Sequence, residues 1–111
     1  LARAHIGLEI MRLNALRTLA GTESGSLGRE AMIGKLYWAT FHRGLGELAM
    51  DVLGGAATVV GEEGDPAVYD PGPLQRLFLF SRSDTIYAGS NEIQRNIIGE
   101  RALGLPKEPQ P

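Results

Sequence analysis

The stretch Thr85-Ile86-Tyr87-Ala88-Gly89-Ser90-Asn91-Glu92-Ile93-Gln94-Arg95-Asn96-Ile97-Ile98, followed by Glu100-Arg101 and Leu103-Gly104-Leu105-Pro106, decides how this chain is read. It predicts a turn over Ser83 to Gly89, then a helix from Asn91 to Leu103. Ser90 suits the N-cap, because its hydroxyl can accept from an unpaired backbone N–H of the first turn. Glu92 puts a negative charge where the helix dipole favours one. Ile93, Ile97 and Ala102, widened by Ile98, give the helix one apolar face. Gly104 supplies a stop, and Pro106 prevents continuation. A helix start of this kind also favours phosphate or other polar ligand atoms. On the residues alone the structural reading is preferred: Gly89 turns, Ser90 caps and Glu92 complements the dipole.

The same signals upstream predict an all-α chain. From Leu1 to about Ala20, Ala4, Leu8, Met11, Ala15 and Leu19 recur at helical spacing, widened by Ile6, Ile10, Leu13 and Leu16. So wide a stripe implies packing on more than one neighbour. Gly21 is the expected stop. A second long helix is expected from an N-cap at Ser26 to about Leu53, ended by Gly54-Gly55. Its Gly34, Gly44 and Gly46 are poor helix formers that can admit close helix contacts. The short connection favours antiparallel neighbours. Residues 56–73 read as loop, and Pro73 as the start of a third helix to about Arg82. Residues 1–106 are thus expected to be one helical domain and 107–111 a disordered tail.

Composition excludes several function classes. The chain has 111 residues, one domain at most. Its 43% hydrophobic and 22% charged residues are ordinary for a globular chain. A net charge of -2 gives no reason to expect nucleic acid as a partner. Cysteine is absent, which rules out disulfides, thiolate metal sites and a cysteine nucleophile. No apolar run approaches the ~18 residues of a membrane span. Glu62, Glu63 and Asp65 read as a solvated loop tip without metal-ligand spacing. The chain starts at Leu1, already inside an apolar-periodic stretch, so a piece of a longer protein is expected. Asp84 reads as a turn or capping residue, His42 as a solvated or interface histidine, and Trp38 as core or interface.

The residues from Thr85 to Pro106 resemble the C-terminal signature of the acyl-CoA dehydrogenase family, typically I-Y-E-G-T-S-E-I-Q-R and then a helix ending in L-G-L-P. Asp51-Val52-Leu53-Gly54-Gly55 resembles the family's glutamine-containing stretch before a Gly-Gly turn. The resemblance implies a helical-bundle domain with one more long helix before it. It implies FAD as cofactor, an acyl-CoA thioester as substrate and α,β-dehydrogenation, in which a carboxylate takes the α-proton and the β-hydrogen leaves as hydride. It implies electron-transfer flavoprotein as acceptor, a homo- or hetero-oligomer (dimer or tetramer) and a cytoplasmic location. Carried over by position, FAD contacts fall on Gly54, Gly55, Ser90 and Glu92, while Tyr87 and Gly89 line the thioester site.

Three departures sharpen these expectations. Ala88 stands where many members carry the catalytic Glu, so no catalytic residue is assigned to this segment. Asp51 replaces a common glutamine by an acceptor-only group, a poor companion for a pyrophosphate. Leu79-Phe80 stands where an Arg-Asp pair is frequent. Ala88 leaves two readings open. Either the base lies on the preceding helix, as in some members, or the chain belongs to a base-less subunit of a mixed complex.

Overall fold

The computed structural model describes residues 1–22, 28–59 and 71–107. Four α-helices carry the chain: α1 (Ala2–Thr22), α2 (Gly34–Leu53), α3 (Pro73–Ser83) and α4 (Asn91–Ile97). A 3₁₀ segment (Arg29–Ile33) precedes α2 and another (Gly54–Thr58) follows it. One π-helical stretch, Ile98–Ala102, prolongs α4. No strand occurs among the described residues, so the expected all-α class holds.

Boundaries differ from the sequence reading: residues 56–58, read as loop, are 3₁₀, and the helix expected from Asn91 to Leu103 is α-helical only to Ile97. The α1 helix runs through Gly21 to Thr22. The α2 helix proper starts at Gly34, with the 3₁₀ segment ahead of it. The expected cap Ser26, the acidic tip Glu62-Glu63-Asp65 and residues 108–111 of the expected tail lie outside the described residues. Pro73 does open α3, and Ser90 does cap α4.

The face of α1 that packs is rotated from the expected one. Gly7 is buried, and Ala4, Met11, Asn14 and Thr18 are half-buried, tracing one stripe of three- and four-residue steps. Leu8 and Ala15, expected on that face, are exposed, and Leu19 is 67% exposed. The cause is local. The Phe41 ring occupies the space a side chain at position 7 would need, and the Tyr37 hydroxyl donates to the Gly7 carbonyl at 3.0 Å. A backbone with no side chain, not a leucine stripe, is what α2 grips.

The α2–α3 crossing uses the same device. A Cβ at Gly46 would stand 2.5 Å from Ser81 Oγ and 3.0 Å from Phe78 Cα. Only glycine lets the two helices come this close. Of the three glycines expected to admit a neighbour, Gly34 and Gly44 meet nothing within this chain. Arg82 on α3 fastens the crossing, donating to Glu47 Oε1 at 2.9 Å and to the Arg43 carbonyl at 2.8 Å, with its guanidinium over the Phe78 ring. Gln75 ties the helix start to the segment after α2: its amide donates to the Ala57 and Val59 carbonyls, and its oxygen accepts from Gly72 N–H.

The interior is thin. Among the described residues, the buried apolar side chains are Ala39, Ala49 and Ala102. Ser81, Asp84 and Gln94 are buried beside them. The radius of gyration is 18.4 Å, well above the ~13 Å of a compact chain this long. Leu13, Leu16 and Ile6 on α1 are all half exposed or more, a surface that an isolated soluble domain rarely shows.

Candidate functional site

The turn after α3 is built on one buried carboxylate. Asp84 has no exposed surface, and its backbone still has helical angles. The His42 Nδ1 donates to Asp84 Oδ2, and the Lys35 ammonium donates to the Asp84 carbonyl. Because an ionised carboxylate only accepts, the proton of that bond sits on Nδ1 whether the imidazole is neutral or charged. The imidazole is itself mostly buried and stacks on Trp38, with ring centroids 4.5 Å apart and planes 18° from parallel. Burial pushes the Asp84 carboxyl up, but hydrogen bonding from His42 and interaction with Tyr87, His42 and Lys35 outweigh it and hold the group below its ordinary value. Asp84 Oδ1 is buried without a well-formed hydrogen bond.

From this anchor the chain turns tightly. Ile86 and Tyr87 N–H groups both donate to the Ser83 carbonyl, at 2.9 and 3.0 Å. The Tyr87 ring lies under the Lys35 ammonium, 5.1 Å from the nitrogen. Its hydroxyl is pushed up from the usual phenol value, first by interaction with the Asp84 carboxylate and then by burial. Ala88 sits at φ 54°, in the left-handed region, and Gly89 follows at φ 92°. For alanine that conformation costs about 1–2 kcal/mol. Surrounding contacts must therefore impose it. On the far side Gln94, also buried, donates its amide to the Ala88 carbonyl at 3.0 Å, and Asn91 N–H reaches back to the Thr85 carbonyl.

The residues singled out by sequence fall into two groups. Tyr87, Gly89, Ser90 and Glu92 stand together around this turn. Tyr87 is 48% exposed, and Ser90 Oγ accepts from Ile93 N–H at 3.5 Å, a long cap. The Glu92 carboxyl is held below its usual value by backbone N–H and the Ser90 hydroxyl, against a smaller opposing effect of burial, and pairs with exposed Arg95 at 3.6 Å. Gly54 and Gly55 stand elsewhere, at the far end of α2. Lys35, which touches the turn, lies roughly 28 Å from them at the helical rise of ~1.5 Å per residue. Gly54 has φ 56°, and neither glycine has any atom near the position of an added Cβ. Their backbone is open to close approach from outside.

Some residues carry more than the sequence reading gave them. His42 is not solvated, and Asp84, which does cap α3 and open the turn, is also fully buried: each is the other's partner. Lys35, Trp38 and His42 share a helical face, which was visible. Nothing in the sequence linked that face to a residue 42 positions on. Ile93, expected in the buried face, is 51% exposed, and the neighbouring Gln94 takes its place inside because its amide holds the turn. Among the described residues no group of three His, Asp or Glu side chains could hold a metal, and no helix is long and apolar enough to cross a membrane.

Residues 1–103 match the family described as Acyl-CoA dehydrogenase, C-terminal domain. The chain belongs to the acyl-CoA dehydrogenase family. Among curated proteins it is 52% identical over 108 residues to Acyl-CoA dehydrogenase IpdE1 of Mycobacterium tuberculosis, covering 97% of this chain and 26% of that protein. It is 51% identical over 108 residues to Acyl-CoA dehydrogenase IpdE1 of Mycolicibacterium smegmatis, covering 97% and 25%. Acyl-CoA dehydrogenase FadE26 of Mycobacterium tuberculosis is 33% identical over 112 residues, with 96% and 27% covered. The chain thus spans about a quarter of the length of these relatives. No solved structure matches it. The acyl-CoA dehydrogenase signature over Thr85 to Pro106 is, in three dimensions, the anchored turn and the helix that closes it.

Proposed function

We propose that this chain is the C-terminal helical segment of an FAD-dependent acyl-CoA dehydrogenase of fatty acid and lipid metabolism, with the catalytic base outside it. The observation that supports this reading is the Asp84–Gly89 turn. It is held from behind by buried polar groups, keeps an alanine in the left-handed region, and leaves Tyr87 half exposed. A turn so constrained presents backbone at a fixed place, which is what recognition of a thioester needs. Tyr87 and Gly89 line the acyl-CoA site in this reading, and residues 1–106 act as one domain.

The bare Gly54-Gly55 backbone fits close approach of FAD, since any side chain there would fill the space. Ser90 and Glu92 are engaged in capping α4, so they hold the cofactor through the helix start they stabilise rather than through a free carboxylate. Bound FAD supplies the acceptor for the β-hydrogen. This chain's residues position the thioester, exclude water and leave the α-proton to a carboxylate upstream, because the Ala88 methyl takes no proton. The separation of the two glycines from the turn supports contacts made across a dimer or tetramer. The open surface of α1 supports a homo- or hetero-oligomer as well. Electron-transfer flavoprotein is the proposed acceptor, and the cytoplasm the proposed location.

The second reading, a non-catalytic subunit or helical assembly module of a heteromeric dehydrogenase, is favoured by Ala88 alone. One preparation separates them. The full-length protein purified alone should be yellow and should reduce an artificial electron acceptor when given acyl-CoA. A colourless or inert preparation that gains turnover on Ala88→Glu supports the second reading. One inert in both forms overturns the first.

A further inference from the structure

We propose that His42 is a positioning residue: through Asp84 it fixes the turn that carries Tyr87, Ala88 and Gly89, and so sets the thioester-facing backbone. The proposal rests on the functional reading above for its consequence, but on geometry for its substance. Ala88 occupies a left-handed conformation that alanine does not choose. Such strain persists only where neighbours over-determine it. Gln94 holds the turn's end by one bond to the Ala88 carbonyl. Its beginning is held at Asp84, where the side chain is bound by His42 and the main-chain carbonyl by Lys35.

The clamp is rigid because its own parts are. The imidazole stacks on Trp38 one turn earlier on the same helix, and 14% of its side chain is exposed. Asp84 has no exposure at all, so no water competes for the oxygen His42 binds. Both clamp residues, Lys35 and His42, lie two turns apart on α2, whose next turn is fastened to α3 by Gly46 and Arg82. The turn is therefore referenced to the whole α2–α3 pair. His42 does not reach the reacting atoms; it acts through Asp84.

The test uses the full-length flavoprotein and a set of variants. His42→Phe keeps a ring on Trp38 and removes the donor. His42→Asn sets an amide N–H where Nδ1 stands. In His42→Phe, amide hydrogen exchange at Ile86, Tyr87 and Asn91 should rise at least tenfold, while amides of α1 keep their rates. The KM for acyl-CoA should rise about tenfold, with kcat changed less than threefold. His42→Asn should return both readouts to within about threefold of wild type. Where His42→Phe does not accumulate folded, His42→Leu, which removes the donor with a smaller apolar side chain, is read the same way. Unchanged exchange in the turn overturns the proposal, and so does a His42→Asn variant as impaired as His42→Phe. If wild-type protein binds no acyl-CoA, the functional reading fails, and the exchange comparison alone decides the role of His42.

Discussion

The two long helices of this chain bury different chemistry. Helix α1 carries Ile6, Leu8, Ile10, Leu13, Leu16 and Leu19 and leaves all of them exposed; its fastening to α2 is a bare glycine backbone under Phe41 and one hydroxyl bond. Helix α2, at its junction with α3 and the turn, buries almost nothing large. It is held instead by Gly46, Ala39, Ser81 and a group of charged and polar side chains around Asp84 and Arg82. The difference teaches that in this chain the large aliphatic residues of α1 mark exposed surface, and small or polar residues mark where helix closes on helix.

The sharpest way to break that contrast is to add bulk at the two kinds of glycine. Gly46→Leu drives a side chain into Ser81 and the Phe78 backbone, neither of which can yield cheaply. A loss of about 3 kcal/mol is expected, seen as a fall of many degrees in the thermal midpoint of the full-length protein. A Cβ at Gly21, in the last turn of α1, meets nothing within 4 Å. Gly21→Ala should gain roughly 0.5–1 kcal/mol. Equal losses at both positions would end the contrast.

The buried carboxylate gives the next test, through pH. The Asp84 carboxyl is held below its ordinary value in the folded chain. The unfolded chain then binds more protons in mild acid, so the contribution of Asp84 is complete above about pH 4–5, over the unfolded value of ~3.9. It is lost as pH falls through the folded value. Asp84→Asn should therefore be less stable than wild type at pH 7, and the gap should close in titrations run below pH 4. A gap that stays constant to pH 3 would show that Asp84 acts by shape and not by charge.

How much of this was written in the sequence follows the same division. Three local signals were legible in single residues: Pro73 opens α3, Ser90 caps α4, and Gly89 turns with positive φ. The family and its all-α fold were legible from Thr85 to Pro106. The packed face of α1 was not. Periodicity weighs leucines, and the contact is made by Gly7, which carries no weight on any apolar stripe. Nor was the clamp legible. Lys35 and His42 lie on α2, Asp84 after α3 and Gln94 on α4, and nothing local to any of them names the others. Only the α2–α3 crossing brings them together, and pairing across such separations leaves no local pattern.

Strain at the turn offers a smaller effect of the opposite sign. Ala88→Gly removes the Cβ from the left-handed region and should raise stability by about 1 kcal/mol in a thermal melt, despite the added freedom of the unfolded chain. A stabilised variant with weaker acyl-CoA binding would show the strain serving the site. A destabilised one would show that Ala88 is not strained, and that the clamp has nothing to oppose.

The smallest effect is expected at the ion pair that looks most prominent across the crossing. Glu47 accepts from Arg82 at 2.9 Å and lies 3.4 Å from Arg43, and hydrogen bonding from Arg82 first, then the charges, lowers its carboxyl. Yet its side chain is more than half exposed, and water and salt screen what it gains. Arg82 also keeps the Arg43 and Phe78 carbonyls when Glu47 is gone. Glu47→Gln should therefore shift the thermal midpoint barely beyond measurement error, and 0.5 M salt (about a 4 Å screening length) should erase even that. A large loss would mean that charge, and not the close approach at Gly46, holds α2 to α3, and the junction would then weaken with every rise in ionic strength.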